Sequence, residues 1–171
     1  MVTDARQKNT FNFYSYGDCL VWFPGNSTCT EVSKIMYTDE MQNKLSAASF
    51  WRSPNRELYL KGNKFLPVLD NEVDYNETRK TNFLRPQGLY FFGSPDDEVI
   101  KPWRTSLFDF WDDDMKTIPM ETQPFYIDDT FGLRTALESK KAHRTAVDGV
   151  KHQEWIERED IFTDYIMDLL V

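Results

Sequence analysis

Residues 89–103 read LYFFGSPDDEVIKPW. The first four are apolar and mostly aromatic, which is typical of a strand buried on both faces of a sheet. A Gly-Ser-Pro turn ends that run, and two adjacent carboxylates, Asp96 and Asp97, follow it. In open α/β sheets, ligands and catalytic groups collect at the C-terminal ends of the strands. The stretch therefore predicts either a functional carboxylate at a sheet edge or a surface turn with locally bonded Asp side chains.

The composition bounds the class of protein. A chain of 171 residues fits one domain, and 15% aromatic residues suit a packed core rather than disorder. A net charge of −8 argues against nucleic acid or an anionic membrane as a partner. We expect no stable membrane insertion, because no apolar run approaches the roughly 20 residues that a spanning helix needs.

Two short patterns point to the secretory pathway. Asn26-Ser-Thr28 and Asn76-Glu-Thr78 match the acceptor sequence for N-glycosylation. Cys19 and Cys29, the only cysteines, are equally compatible with a small disulfide loop and with two free thiols. The first residues have no apolar core segment and are not a signal peptide, so we expect that the true beginning of the protein is missing here.

Residue patterns predict the elements that surround this turn. The apolar spacing in 38–51, with Thr38 or Asp39 as the cap, predicts a helix, and Asn76–Leu84 predicts another. The segment between them suggests short helices, whereas 16–30 is expected to be irregular. The remaining predictions are strands at 89–92, at 125–127 and within 142–150, a helix capped by Asp129 or Thr130, and an amphipathic closing helix over 161–170. The N-terminal segment 1–15 is left unassigned.

The two histidines differ in their context. His143 lies within the last predicted strand, and His152 lies in the loop that follows it. An α/β-hydrolase places its acid after one late strand and its histidine after the last, an order that Asp96 or Asp97 followed by His152 satisfies. The alternative is that His152 is an ordinary exposed loop residue. The acid run Asp112–Asp114 lacks the ligand spacing of a calcium loop, so we expect a solvated loop and no metal site.

Several short motifs, which follow one another along the chain in the same order as in a known family, resemble that family. They are Tyr16-Gly-Asp18, Trp22-Phe-Pro24, Ser49-Phe-Trp51, Leu58-Tyr-Leu60, Asn82-Phe-Leu-Arg85, Gly93-Ser-Pro-Asp-Asp97, Pro102-Trp103, Phe131-Gly-Leu-Arg-Thr135 and Gly149-Val-Lys-His152. Residues 16–171 resemble the lysosomal palmitoyl-protein thioesterases, and most nearly the thioesterase-2 branch.

This resemblance assigns roles to individual residues. The family's triad acid falls on Asp97, with Asp96 as the alternative acid, and the catalytic histidine falls on His152. A family glycan falls on Asn76, which favours that position over Asn26.

One departure from the family concerns the nucleophile. The family needs a serine in a Gly-x-Ser-x-Gly elbow, and the 171 residues contain no such motif. Ser15 lies in the nearest imitation but downstream of where the family has its elbow, so it is a poor candidate. We therefore expect the C-terminal portion of a single α/β-hydrolase domain, residues 16–171, with an incomplete sheet and a helical acyl-binding insertion.

The resemblance implies hydrolysis of long-chain, palmitoyl-type fatty acyl thioesters in the lysosome, without a cofactor. The substrate would be an acyl-CoA or an S-acylated cysteine, and the catalytic serine would be missing from this chain. The alternative is an inactive acyl- or lipid-binding remnant of the same fold. Six residues of the insertion are candidates for an acyl groove or, equally, for ordinary core: Phe50, Trp51, Leu58, Phe65, Leu66 and Phe83.

Overall fold

The computed structural model describes residues 26–112, 114 and 116–170. The segment 1–15 with Ser15, the motifs at 16–18 and 22–24, and Cys19 lie outside the described residues. The described chain forms a helical region, residues 26–84, followed by a region of short strands and helices, residues 89–170. The bounds of the first region are α1 Asn26–Met36, α2 Asp39–Lys44, α3 Ser46–Phe50, α4 Arg56–Gly62, α5 Leu66–Leu69 and α6 Glu77–Leu84.

The first helix corrects the expectation of irregular structure up to residue 30. Helix α1 begins at Asn26, directly after the Pro-Gly pair that suggested a break. Cys29, Val32 and Met36 follow one another at helical spacing and pack into one apolar cluster of the helical region. Burial of this face stabilises the helix, although its first turn carries no acidic residue.

The single helix predicted for residues 38–51 is two helices in the structure. Thr38 caps α2 as predicted, accepting a hydrogen bond from the Met41 N–H. Leu45 is extended, with φ −119° and ψ 106°, and separates α2 from α3. The buried amide of Gln42 donates to the carbonyl oxygens of Met36 and Ala48, both at 2.8 Å. These two bonds, each spanning six residues, fix the bend between the two helices. The apolar spacing does not predict this bend.

The predicted strand at 89–92 is confirmed, and it pairs with the last strand. β1, Leu89–Gly93, runs parallel to β4, Ala142–Ala146, with Leu89 opposite Ala142 and Gly93 opposite Ala146. A second, antiparallel pair joins β2, Phe110–Trp111, to β3, Thr117–Ile118. The connection between β1 and β4 also contains 3₁₀ helices at Trp103–Leu107 and Met120–Thr122, and helices α7 Pro124–Ile127 and α8 Leu133–Glu138. Because β1 and β4 are parallel neighbours, the chain leaves both strands at the same edge.

The two faces of β1 pack against different groups of residues. Leu89 and Phe91 face a core that includes Ala142 of β4 and buried residues of the connection between the strands: Leu107, Phe108, Phe110, Met120, Phe125, Phe131, Leu133 and Ala136. On the other face, Phe92 packs with Trp155 against the buried side chains of Val147, Val150 and Ile161. The loop after β4 is therefore anchored by an apolar cluster of its own.

Two further predictions about this region are wrong. Residues 125–127 lie in helix α7 rather than in a strand, because Pro124 at the first helical turn has a φ suited to a helix. Helix α8 has Gly132 as its cap and not Asp129 or Thr130. Asp129 lies outside the helix, but its carboxylate accepts hydrogen bonds from the N–H and the hydroxyl of Thr135 within α8.

The amphipathic closing helix is also corrected. The segment consists of α9 Glu154–Glu157, α10 Glu159–Ile161, a π-helical turn Phe162–Ile166 and a 3₁₀ turn Met167–Leu169. Arg158 is extended between α9 and α10. Only Ile161 of the predicted apolar face is buried, and Phe162 and Leu170 remain exposed. None of the helices in the described residues has both the length and the apolar character that crossing a bilayer requires.

Candidate active site

A tight turn at the end of β1 carries the two predicted acids. The Asp97 N–H donates to the Ser94 carbonyl at 3.2 Å, and the Asp96 N–H donates to the Ser94 hydroxyl at 3.2 Å. One oxygen of Asp97, Oδ1, accepts from the N–H groups of Val99 and Ile100, both at 2.8 Å. These bonds fix the rotamer of Asp97 and leave its Oδ2 available.

The Asp97 Oδ2 lies 3.0 Å from Nδ1 of His152, although the two residues are 55 positions apart in the sequence. The side chains are 5% and 11% exposed, so little water competes for this contact. Both follow the C-terminal ends of the parallel pair β1 and β4, where the chain leaves the sheet at one edge. The structure thus brings together the acid and the histidine that the sequence predicted.

The environment keeps Asp97 ionised. Burial by itself would raise the pKa of this carboxyl group, but hydrogen bonds from His152, Ile100 and Val99 and the charge interaction with His152 outweigh it. The net result is a pKa of Asp97 below its usual range. An ionised carboxylate can only accept, so the His152 Nδ1 carries the shared proton and its Nε2 is left to accept one. This is the tautomer that a general base needs.

Asp96, the alternative acid, makes a different contact. Its carboxylate is exposed and its Oδ2 accepts the N–H of Gly149 at 2.6 Å. Of the two neighbouring carboxylates, only Asp97 is therefore bonded to the His152 ring.

His143, the second histidine, lies on β4 away from this pair. Its ring stacks on Tyr90, the residue directly opposite on β1, with centroids 4.9 Å apart and planes 10° apart. The residue is exposed, and no shared hydrogen bond links it to either acid in the described residues. His143 is thus a cross-strand partner of Tyr90.

The six candidate acyl-binding residues do not form one group. Trp51 and Leu66 are each 2% exposed and belong to the core of the helical region, where Phe50 and Leu58 pack against them. Phe83 packs instead against the core beneath β1. Only Phe65 is well exposed, at 39%, and its ring meets that of Phe50 edge to face at 5.6 Å.

The structure describes the side chain of one of the two predicted glycosylation sites and of one of the two cysteines. Asn76 is exposed and caps α6, with its Oδ1 accepting the Thr78 N–H at 2.8 Å. The side chain of Asn26 lies outside the described residues. Cys29 is buried and takes part in a disulfide, whereas its only possible partner in the sequence, Cys19, lies outside them.

The acid run lies in the hairpin between β2 and β3. The Asp112 Oδ1 accepts the N–H groups of Asp114 and Lys116, so it shapes the turn. Among residues 26–112, 114 and 116–170, no cluster of three or more His, Cys, Asp or Glu side chains is arranged to hold a metal ion.

Sequence patterns missed two residues beside the pair. The Ser94 hydroxyl accepts the Val150 N–H at 3.3 Å, and the Glu98 carboxylate lies 3.4 Å from the His152 N–H. Both contacts join segments more than 50 residues apart, and no local pattern encodes the acceptor of a loop N–H group. The only available signal was the density of oxygen-bearing side chains in residues 94–98.

One family model and several curated relatives are similar to this chain. The family model described as palmitoyl protein thioesterase matches residues 6–152. Lysosomal thioesterase PPT2-B of Xenopus laevis is 42% identical over 127 residues, which cover 72% of this chain and 44% of that protein. Lysosomal thioesterase PPT2 is 35% identical in Rattus norvegicus and 32% in Homo sapiens, each over 152 residues that cover 87% of this chain and 50% of the relative.

The chain spans about half the length of the curated relatives it matches. The matched region contains both Asp97 and His152. The family match extends over more than half of the 171 residues, and the similarity to the relatives extends over most of them. This chain belongs to the palmitoyl protein thioesterase family.

Proposed function

We propose that this chain is the C-terminal part of an α/β-hydrolase that cleaves long-chain fatty acyl thioesters. Asp97 and His152 would be the acid and the base of a Ser-Asp-His triad whose serine lies outside these 171 residues. The observation that carries the proposal is the 3.0 Å contact between Asp97 and His152 at the end of two parallel strands.

Family membership supports the coarser parts of this proposal. It implies the α/β-hydrolase fold and thioester hydrolysis, and the described helices and small sheets are compatible with part of such a fold. A two-stranded parallel sheet is unusual alone, because parallel strands are normally covered and continued by neighbours. We therefore propose one domain over residues 16–171, whose sheet is incomplete.

The proposed reaction has two steps. A serine hydroxyl attacks the thioester carbonyl while the His152 Nε2 takes its proton, and the resulting imidazolium is stabilised by Asp97. His152 then protonates the departing thiolate, which leaves a fatty acyl ester on the serine. His152 then deprotonates a water molecule, which attacks that ester. The free fatty acid is released, and His152 returns the proton to the serine. An acyl-CoA and an S-acylated cysteine present the same reacting group.

The helical region is proposed as the acyl-binding insertion. Trp51 and Leu66 are too deeply buried to touch a ligand without a rearrangement. Phe65 is the most exposed of the predicted set, and its ring meets that of the partly buried Phe50, so this pair is the most accessible ring contact in the set. We propose these two rings as a contact and the other four residues as core.

We also propose the lysosome as the location of the protein. The relatives are named lysosomal thioesterases, and the exposed Asn76 offers a glycan acceptor that a protein passing through the secretory pathway would use.

The second candidate is an inactive acyl-binding relative. One observation favours it: the 171 residues contain no Gly-x-Ser-x-Gly. Such a protein would keep the pair of Asp97 and His152 without a nucleophile beside it.

The test uses the longest in-frame product that contains these residues. We expect it to carry the serine elbow, to react with a fluorophosphonate probe and to hydrolyse palmitoyl-CoA. His152→Ala and Asp97→Ala should each lower kcat by about 10⁴-fold or more, because triad members act as a unit.

His143→Ala is the matched control and should keep activity within about threefold, as an exposed residue outside the pair does. Equal losses from the two histidine variants would contradict the assignment of His152. A product that begins at Met1, without an elbow and without probe labelling, would favour the inactive relative.

A further inference from the structure

The loop that carries His152 is held by an unusual set of hydrogen bonds. We call residues 147–153 the histidine loop and residues 94–98 the acid turn. The Val147 N–H still extends the strand pairing, donating to the Gly93 carbonyl at 2.9 Å. Beyond it, four consecutive N–H groups, those of residues 149–152, all donate to side-chain oxygens.

Three of these four acceptors belong to the acid turn. The Gly149 N–H meets the Asp96 Oδ2 at 2.6 Å, the Val150 N–H meets the Ser94 Oγ at 3.3 Å, and the His152 N–H meets the Glu98 Oε2 at 3.4 Å. The fourth, from Lys151, goes to Glu154 within the following helix at 2.8 Å. Asp97 lies between the three acceptors in the sequence and contacts the His152 ring itself.

We propose that Asp96, assisted by Ser94 and Glu98, is a positioning residue that sets the register of the histidine loop so that His152 meets Asp97. The catalytic meaning of this inference rests on the proposed function, whereas its structural content does not. It gives the alternative acid a role of its own, which acts through the backbone of the loop rather than on the imidazole.

The contacts rank in an order that singles out Asp96. Its bond to Gly149 is accepted by a carboxylate oxygen and is the shortest of the three, which makes it the strongest. The Ser94 hydroxyl is buried but lies at 3.3 Å and also accepts the Asp96 N–H. Glu98 is exposed and its bond is the longest.

Gly149 is the point at which this bond acts. Its φ of +70° lies in the left-handed region that glycine adopts without strain, and this reverses the chain after β4. The Gly149 carbonyl is held from the other side by Arg158 at 2.7 Å. The peptide backbone at the turn is thus held between a carboxylate on its N–H side and a guanidinium on its carbonyl side.

The consequence for His152 follows from geometry. His152 lies in a loop, three residues beyond Gly149, and no strand pairing fixes its position there. A shift of the loop would lengthen the bond from Nδ1 to Asp97 and turn Nε2 away from its target, and errors of about 1 Å are costly in active sites.

The experiment measures the loop directly by NMR in the full 171-residue chain. The exchange rate of the Gly149 amide reports its hydrogen bond, and the signal of the His152 Nδ1 proton reports the contact with Asp97. With only two histidines in the sequence, His143→Gln assigns the ring signals. We expect Asp96→Ala to speed exchange at Gly149 by about tenfold or more and to weaken the Nδ1 signal.

Asp96→Asn separates hydrogen bonding from charge. Its amide oxygen can accept the same N–H, so exchange at Gly149 should stay within about threefold of the parent and the Nδ1 signal should persist. Asp148→Ala removes a neighbouring exposed carboxylate whose side chain makes none of the three contacts, and it should change neither readout.

Two results would overturn the inference: an unchanged Nδ1 signal in Asp96→Ala, or equal effects of Asp96→Asn and Asp96→Ala. If Asp96→Ala does not fold, Ser94→Ala removes a weaker acceptor of the same loop, and an unchanged Val150 exchange rate there would equally overturn it. Neither readout needs turnover, so a failed hydrolysis assay leaves this test intact.

Discussion

Asp96 and Asp97 are neighbours in the sequence, yet the fold places their carboxylates in opposite surroundings. Asp97 is buried and bonded to an imidazole, whereas Asp96 is exposed and bonded to a backbone N–H. The side chains of these successive residues leave the tight turn in different directions, and only that of Asp97 contacts the His152 ring. The two residues carry the same chemical group, so the direction of each side chain decides its partner.

The depressed pKa of Asp97 predicts a pH dependence of stability. Since the folded-state pKa lies below the reference value of 3.8, the ionised side chain stabilises the fold above that value. This contribution is lost as the pH falls through the folded-state pKa. Urea unfolding of the parent and of Asp97→Asn should therefore give a difference in free energy that is steady near pH 5 and shrinks toward pH 3.

His152 provides the control for that measurement. In the His152→Ala background Asp97 loses one of the donors that lower its pKa, so the change in the difference between pH 5 and pH 3 should be smaller. A difference that does not vary between pH 5 and pH 3 in the parent background would contradict this account.

At the scale of elements, short helices of the first region depend on their caps. Asn55 accepts the Leu58 N–H at the start of α4, and Asn76 accepts the Thr78 N–H at the start of α6. Helix α6 contains only 8 residues and none of them is fully buried, although Phe83 and Leu84 at its end pack against the core beneath β1. Its first turn lacks such contacts and relies on the cap.

Asn76 should show two separable roles, as a cap and as a glycan acceptor. In protein made without glycosylation, Asn76→Ala should lower the free energy of unfolding by about 1 kcal/mol, whereas Asn76→Ser keeps a capping oxygen and should lose little. In a secretory host, Asn76→Ser and Thr78→Ala should both remove the glycan, seen as a loss of the mobility shift that an N-glycosidase produces.

Asn26→Gln changes the other acceptor sequence and should leave the glycan at Asn76 in place. If Asn76→Ser keeps the full mobility shift of the parent, the glycan is not on Asn76. If it unfolds as easily as Asn76→Ala, the cap is not what stabilises α6.

At the scale of the whole molecule, the closing segment leaves apolar side chains in water. Ile156 is 85% exposed, Leu170 61%, and Phe162 and Met167 46% each. All four lie within residues 156–170, next to a sheet whose described part has two strands. Exposed apolar groups concentrated in one segment favour association with another surface.

We expect the isolated 171-residue chain to self-associate as its concentration rises. The double variant Ile156→Glu with Leu170→Glu should shift sedimentation velocity profiles toward the monomer, because the added charges oppose burial. Ile35→Glu is the matched control, since Ile35 is 58% exposed on α1. A monomer at every concentration, or equal profiles for the double variant and the parent, would contradict the expectation.

The parts of the fold that sequence predicted are those that local physics controls. A run of four apolar residues ending in Gly-Ser-Pro predicted β1, and a threonine cap marked the start of α2. The predictions failed at Leu45, at 125–127 and in the closing segment. There the apolar spacing fitted several conformations, and features that the spacing does not encode selected one of them: the Gln42 side-chain bonds at the first break and the fixed φ of Pro124 at 125–127.

By itself, the sequence determined the family, through ordered motifs, and the order of an acid turn followed by a histidine loop. The catalytic roles of Asp97 and His152 remain predictions. The tertiary structure decided which carboxylate meets the imidazole and which meets Gly149, and it placed Phe83 apart from the other acyl candidates. The physical reason is that the two carboxylate contacts join residues more than 50 positions apart, where the folded backbone alone sets distance and direction.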